Sequence, residues 1–177
     1  MPVGSVSEDS ESPPASDSYS GADNPVDAVV GRALNLLARR EHSAHELRTK
    51  LAARGYAAAD IDVALARLKA KSLQSDARFA QSLARHRIEG GYGPRRIDSE
   101  LRMHHVDASS LGDLLADEDW LGRARAIARK RGGASADPAM RMRLARLLER
   151  RGFPSAIIGK ALKQPIADSA SDPIEGA

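Results

Sequence analysis

One spacing is written three times in this chain, and few folds accommodate it. The first copy places Leu47 and Leu51 one helical turn apart, breaks at Arg54-Gly55-Tyr56, and resumes with Ile61 and Leu65. The second runs through Ile97, Leu101, His104-His105-Val106, Leu111 and Leu115, and the third through Leu144, Leu148, Arg151-Gly152-Phe153, Ile158 and Leu162. The anchors Leu47, Ile97 and Leu144 lie 50 and 47 residues apart. A period in that range is the mark of stacked helical units, none of which can bury its apolar face alone.

The break has a physical reason. Helices commonly end on a left-handed residue, and glycine takes that backbone most easily because it has no Cβ to clash. In the Schellman form of this ending, the next residue is apolar and packs back onto the last turn. Gly55 with the pair Tyr56/Leu51, and Gly152 with Phe153/Leu148, fit the pattern. The middle copy would pair Val106 with Leu101 and put His105 at the left-handed position. His105→Gly is therefore expected to be neutral or stabilising by about 0.5–1 kcal/mol. Each copy reads as a helix, a tight capped turn and a second helix, with apolar residues spaced to face a third.

The fold class expected is all-α: three tandem three-helix repeats, nine helices in all, with no convincing strand alternation. The boundaries expected are an acidic disordered tail over 1–25, repeats over 26–74, 75–117 and 118–164, and a second acidic disordered tail over 165–177. In the first repeat a helix spans about Val26–Arg39 with Val29, Val30, Ala33, Leu34 and Leu37 inward. Ser43-Ala-His-Glu46 is a capping-box sequence that starts the second helix, and a third covers about Ala58–Lys71. The next repeat starts at Ser75 or Asp76 and stops at Gly90-Gly91. It resumes at Pro94, a good first helical residue, and Asp107 caps a short third helix. The last repeat starts near Asp119-Trp120, restarts at Asp137-Pro138, and has a final helix opened by Pro154. Both tails lack apolar periodicity and are expected to be dispensable for folding.

No run approaches 18 apolar residues, the chain start lacks the basic and apolar regions of a signal peptide, and there is no cysteine. These features point to a cytoplasmic protein without disulfides and without a membrane span. The two tails are acidic and carry no basic residue, so 27–163 holds 27 basic against 16 acidic side chains, net +11. By repeat the balance is +4, −1 and +8. Such a core suits a polyanionic partner, most simply nucleic acid, although solvated arginine on helix surfaces accounts for part of it.

Catalysis finds little support. Gly90-Gly91-Tyr92-Gly93 lacks the Lys-Ser/Thr ending of a phosphate loop. His42/His45 and His104/His105 lack the cysteines or the His-Glu-x-x-His pattern of a zinc site. No enzyme activity, metal or cofactor is expected. The candidate binding residues are basic: Arg85 and Arg87, Arg95, Arg96 and Arg102 in the middle repeat; Arg125, Arg129 and Lys130 on the next helix; and Arg141, Arg143, Arg146 and Arg150 on the one after. Guanidinium groups suit bidentate phosphate contact. No aromatic row interleaves them, which argues against a base-stacking platform.

Ser75-Asp76-Ala77-Arg78-Phe79-Ala80, Arg85, Gly91-Tyr92-Gly93-Pro94-Arg95-Arg96-Ile97 and Glu100-Leu101 together resemble the signature of the RecX family of bacterial regulatory proteins. The resemblance spans about Val26–Lys163 and takes in Ser43, Glu46-Leu47, Arg54-Gly55-Tyr56 and Arg150-Arg151-Gly152-Phe153. It implies an elongated, curved molecule and a non-enzymatic modulator of the RecA recombinase. Such proteins lodge in the groove of the RecA–DNA filament and suppress ATP hydrolysis, strand exchange and coprotease activity, which bears on DNA repair and the SOS response. His105 departs from the family's usual glycine, and the long acidic N-terminal tail is not part of its pattern.

Three functions stay open on the residues alone: a monomeric regulator of recombinase filaments that also touches single- or double-stranded DNA; a helix-turn-helix-like nucleic-acid-binding module without recombinase specificity; and a helical scaffold for another protein. The spread of arginine over three repeats favours a long repetitive surface over one recognition helix.

Overall fold

In the computed structural model, residues 24–132 and 137–163 are described. Of the tails expected from the sequence, 1–23 and 165–177 fall outside them, whereas Asn24 and Pro25, expected in the first tail, cap and open the first helix. The described residues form eight α-helices and one 3₁₀ segment. The first unit holds α1 (Pro25–Leu37), α2 (Ala44–Ala52) and α3 (Ala58–Ala70). The second holds α4 (Asp76–Glu89), α5 (Pro94–Met103) and the 3₁₀ segment Ala108–Leu115. The third holds α6 (Trp120–Gly132), α7 (Pro138–Arg150) and α8 (Ser155–Lys163). Among the described residues none lies in a strand, and no helix is long and apolar enough to cross a membrane.

Short polar side chains start most of these helices. Asn24 Oδ1 accepts from Val26 N at 3.0 Å, Ser43 Oγ from Glu46 N at 3.0 Å, and Ser75 Oγ from Arg78 N at 3.3 Å. The Asp107 and Asp137 carboxylates do the same for the 3₁₀ segment and α7. Each satisfies an amide that would otherwise lack a partner. Two details differ from expectation. Pro154 stands just outside α8, its carbonyl accepting from Ile157 N and Ile158 N at 3.0 Å. The sixth segment is 3₁₀, and Gly112 (φ 57°) kinks it in the middle.

All three turns have the expected ending. Tyr56 N, Val106 N and Phe153 N donate to the carbonyls of Leu51, Leu101 and Leu148 at 3.4, 3.0 and 3.0 Å. The residues before them are left-handed: Gly55 at φ 85°, His105 at φ 55° and Gly152 at φ 87°. The same ending closes α3 at the left-handed Ser72 and α4 at Gly91, where Leu73 N and Tyr92 N donate to the Leu68 and Arg87 carbonyls at 2.9 Å each.

His105 has a second role that its sequence position does not reveal. Its ring stacks on His45 of α2, with centroids 3.9 Å apart, and so ties the second unit to the first. His105→Gly relieves a left-handed backbone worth about 1 kcal/mol but removes a ring pair worth about 0.5–1.5 kcal/mol. We expect its net effect in thermal unfolding to fall within about 1 kcal/mol of zero. His45→Ala, which removes the stack without the relief, should be the more destabilising of the two.

Each unit has its own apolar cluster. The first is built on Val29, Ala33, Leu47, Leu51, Ile61, Ala64 and Leu68; Leu34 faces solvent at 37 % exposure, and Leu36 packs inward beside Leu37. The second centres on Phe79, Ala80, Ile97 and Leu101, and the third on Ala124, Leu148, Phe153 and Ala161. All the extensive helix–helix packing is within a unit: α1 on α3, α4 on the 3₁₀ segment, α6 on α8. Among the described residues no hydrogen bond joins the first unit to the third. The molecule is a row of three, as in other repeat proteins.

Candidate functional site

With little apolar packing between units, polar contacts set how they sit, and they decide which arginines remain available. Between the first and second units, Asp76 Oδ1 accepts from Ala44 N at 2.8 Å and from Gln74 Nε2 at 3.0 Å, and Gln74 Nε2 also reaches the buried His42 carbonyl at 3.3 Å. Arg78 donates through Nε to Glu41 at 2.8 Å and through its other nitrogens to the Ser72 and Leu73 carbonyls at 2.9 and 3.1 Å. Ser43 and Glu46 form only the hydroxyl half of a capping box. The Glu46 carboxylate turns instead to Arg40 and, at 3.0 Å, to Lys50.

The second and third units are joined backbone to backbone. Gly93 N donates to the Arg151 carbonyl at 2.7 Å and Arg95 N to the Gly152 carbonyl at 3.0 Å, while Arg151 Nη1 donates back to the Gly91 carbonyl at 3.1 Å. A Cβ on Gly93 would stand 2.5 Å from Gly152 O, and one on Gly152 would stand 2.5 Å from Arg96 N. The guanidinium groups of Arg87 and Arg151 stand over the Tyr92 ring, 5.7 and 5.9 Å from its centre. Trp120 packs on the clusters of both units. The Gly91-Tyr92-Gly93-Pro94 motif and the Arg151-Gly152-Phe153 turn, read separately in the sequence, are the two halves of one joint.

Several candidate cations are occupied within the chain. Glu100, 5 % exposed, accepts from Arg87 Nε and Arg96 Nε at 2.6 Å each. Arg102 pairs with Asp98 at 2.5 Å on the same helix. Arg125 also has an interaction within the chain. In the first unit Arg40, Arg48, Lys50 and Arg67 are all ion-paired. By contrast, among the described residues no ion pair engages Arg85 and Arg95 in the second unit, or Arg129, Lys130, Arg141, Arg143, Arg146 and Arg150 in the third; all are exposed.

Helical geometry sorts these further. Arg143, Arg146 and Arg150 are three and four residues apart, so they form one row, on the side of α7 away from the buried Leu144 and Leu148. Arg141 lies on another side, roughly half a turn from that row. The row ends at the joint where Arg95 is bonded to Gly152. Glu149 is the one acidic residue on α7. The candidate surface is therefore α7's outer face with Arg95 beside it. Of the others, Arg87 joins α4 to α5 through Glu100, Arg96 shares that carboxylate from within α5, and Arg102 is paired along its own helix.

The buried carboxylates give a pH signature. Burial alone would raise the Glu46 carboxyl, but hydrogen bonds from Arg40 and Lys50 and the neighbouring His42 outweigh it and hold it at about 2. Burial of Glu100 is likewise outweighed by Arg87 and Arg96, and its carboxyl is lowered. Burial lowers the His42 imidazole from 6.5, against the opposing pull of its bond to the Arg40 carbonyl and of Glu46. In all three cases the unfolded chain binds more protons on acidification, so stability falls with pH. The His42 contribution fades as pH drops below its unfolded value of 6.5. The carboxylates follow as pH drops below theirs, 4.5, with Glu46's share lost through about 2. Melting temperature should therefore fall steadily from neutral pH downward. Glu100→Gln should lower it at neutral pH by the equivalent of about 1–3 kcal/mol and leave a shallower acid limb.

Comparison with known proteins places the same three units. Residues 31–68, 75–110 and 117–162 match the family models for RecX, first, second and third three-helix domain respectively. A regulatory protein RecX from Stenotrophomonas maltophilia (strain R551-3) is 41 % identical over 138 residues, covering 76 % of this chain and 85 % of that protein. One from Halorhodospira halophila (strain DSM 244 / SL1) is 43 % identical over 131 residues, covering 72 % and 81 %. The crystal structure of RecX from Lactobacillus salivarius superposes with a TM-score of 0.68 at 20 % identity, over 78 % of this chain and 94 % of that one, and so shares its fold.

Proposed function

Since this chain belongs to the RecX family of regulatory proteins, we propose that it binds filaments of the RecA recombinase on DNA and lowers their ATPase rate by occupying them, without turning over a substrate itself. The observation that carries this reading is the separation of roles among its arginines. Most of those in the first two units are engaged in ion pairs, chiefly inside their own unit, whereas the four on α7 are exposed and unpaired among the described residues, three of them, Arg143, Arg146 and Arg150, in a line. A row of similar units suits a partner that repeats along its own axis, and a line of unpaired guanidinium groups suits a phosphate backbone. Suppression of strand exchange and coprotease activity, and with it an effect on DNA repair and the SOS response in the cytoplasm, would follow from the same occupancy. The test is the ATPase rate of RecA on single-stranded DNA with increasing amounts of this protein at moderate salt. A progressive loss of rate that weakens as salt rises is the expected result. No effect on the rate, combined with tight sequence-specific binding to bare duplex, would overturn it in favour of a helix-turn-helix-like reader.

A further inference from the structure

The joint between the second and third units leaves an open cavity of about 280 Å³, and none of the residues lining it belongs to the α7 row. Its cations come from two elements: Lys130 and Arg131 from the last turn of α6, and Arg151 from the end of α7. Among the described residues no ion pair engages any of the three. Glu89 is the one carboxylate in the lining, and the rest of it, at Gly90, Gly91 and Ile127, brings no charge. Cations in the last turn of a helix ordinarily answer its negative end, which amounts to about half a charge. The ends of α4 and α6 together with Glu89 therefore offset about two of the three cations, and the cavity stays positive. We propose that it seats one phosphate of a nucleic-acid backbone, with Lys130, Arg131 and Arg151 as the ligands.

Arg151 is the fixed point of this seat. Its Nη1 donates to the Gly91 carbonyl at 3.1 Å, and its guanidinium stands over the Tyr92 ring, 5.9 Å from the centre. A Cβ at position 91 would come within 2.6 Å of that nitrogen, so a side chain there would push the guanidinium out of its place. A guanidinium carries five N–H donors, and the bond to Gly91 leaves others for a phosphate. An arginine held in position beforehand also avoids the ordering cost that a free one bears on binding. Being half-buried, it is screened by salt less than the exposed cations of α7. Lys130 and Arg131 are exposed and free to close on the bound group, one as a point charge and one as a fork.

The seat deepens the polyanion-binding reading above, and its test keeps the two apart. The full protein, isotope-labelled for NMR, is titrated at low salt with a short oligothymidylate in phosphate-free buffer. The amides of Gly90 and Gly91 and the Nε–H of Arg151 should shift. Lys130→Gln with Arg131→Gln should abolish these shifts and, both residues being exposed, leave the melting temperature nearly unchanged. The same pair should lower affinity for a thirty-nucleotide oligothymidylate about fivefold at 0.1 M salt and the salt slope by about 0.7, the share of one phosphate contact on a single strand. Glu89→Gln removes the opposing charge and should instead raise that affinity by about two- to fivefold, up to the worth of one contact. Shifts absent from the joint, or an affinity and slope that the double variant leaves unchanged, overturn the seat. A double variant that lowers the melting temperature and moves neither slope nor shifts assigns Lys130 and Arg131 to the end of α6 and also overturns it. Inorganic phosphate that produces the same shifts at the same phosphate concentration overturns a backbone ligand in favour of a free anion. A protein that shows the shifts yet leaves the RecA filament ATPase untouched keeps the seat and loses the recombinase reading.

Discussion

Gly152→Ala should destabilise the protein by about 2–5 kcal/mol, while Gly55→Ala, at the equivalent turn of the first unit, should cost only about 1. Both glycines are left-handed, at φ 87° and 85°, so both substitutions carry the same backbone strain. They differ in what the new methyl group would meet. Beside Gly55 nothing lies within 4 Å, whereas beside Gly152 the backbone nitrogen of Arg96 stands at 2.5 Å and its Cβ at 2.6 Å. Backbone cannot swing aside as a long side chain can, so the second and third units must separate. That separation also breaks the bonds from Gly93 N to the Arg151 carbonyl and from Arg95 N to the Gly152 carbonyl. Chemical denaturation of the two variants side by side measures the difference. Loss of a single cooperative transition in Gly152→Ala alone would show that this joint couples the two units. Equal losses in both would mean that the close approach contributes nothing.

Changing Arg143, Arg146 and Arg150 together to Glu should weaken binding to a single-stranded DNA filament by about a hundredfold at 0.1 M salt. The size follows from counterion release: a slope of about 0.7 per phosphate contact on a single strand is roughly fivefold per contact at that salt, and three contacts multiply. Repulsion from the new carboxylates can only add to it. The row is exposed and among the described residues unpaired, so the fold should tolerate the change, with melting temperature nearly unaltered. Reversal of Arg48, exposed but paired with Asp62, is the matched control and should change binding far less. The filament ATPase, titrated with each variant, reports the effect as a shift in the concentration needed for inhibition. A triple variant as potent as the parent would remove α7 from the binding surface.

Much of this protein could be read from its sequence because its determinants are local. A capped turn depends on one left-handed residue and one apolar residue after it, so Gly55-Tyr56, His105-Val106 and Gly152-Phe153 announce themselves by spacing. Helix starts depend on a side chain two or three residues from the amide it satisfies, so Ser43, Ser75, Asp107 and Asp137 were legible too. The apolar period placed Leu47, Ile97 and Leu148 in their cores for the same reason. Even the left-handed backbone of His105 followed from alignment with two glycines.

What the tertiary structure alone decided is the fate of the charges and the joints between units. A guanidinium group on a helix surface looks the same in sequence whether or not a carboxylate from another element reaches it. Nothing local distinguishes Arg87, held on a buried Glu100 thirteen residues away, from Arg85, which is exposed. The stack of His105 on His45 and the reach of Arg151 to the Gly91 carbonyl cross 60 residues of chain in each case. The tight approach of Gly93 to Gly152 likewise exists only once two turns from different units meet. Ion pairing and close backbone contact depend on distance in space, and sequence spacing specifies that distance only within a helix or a turn.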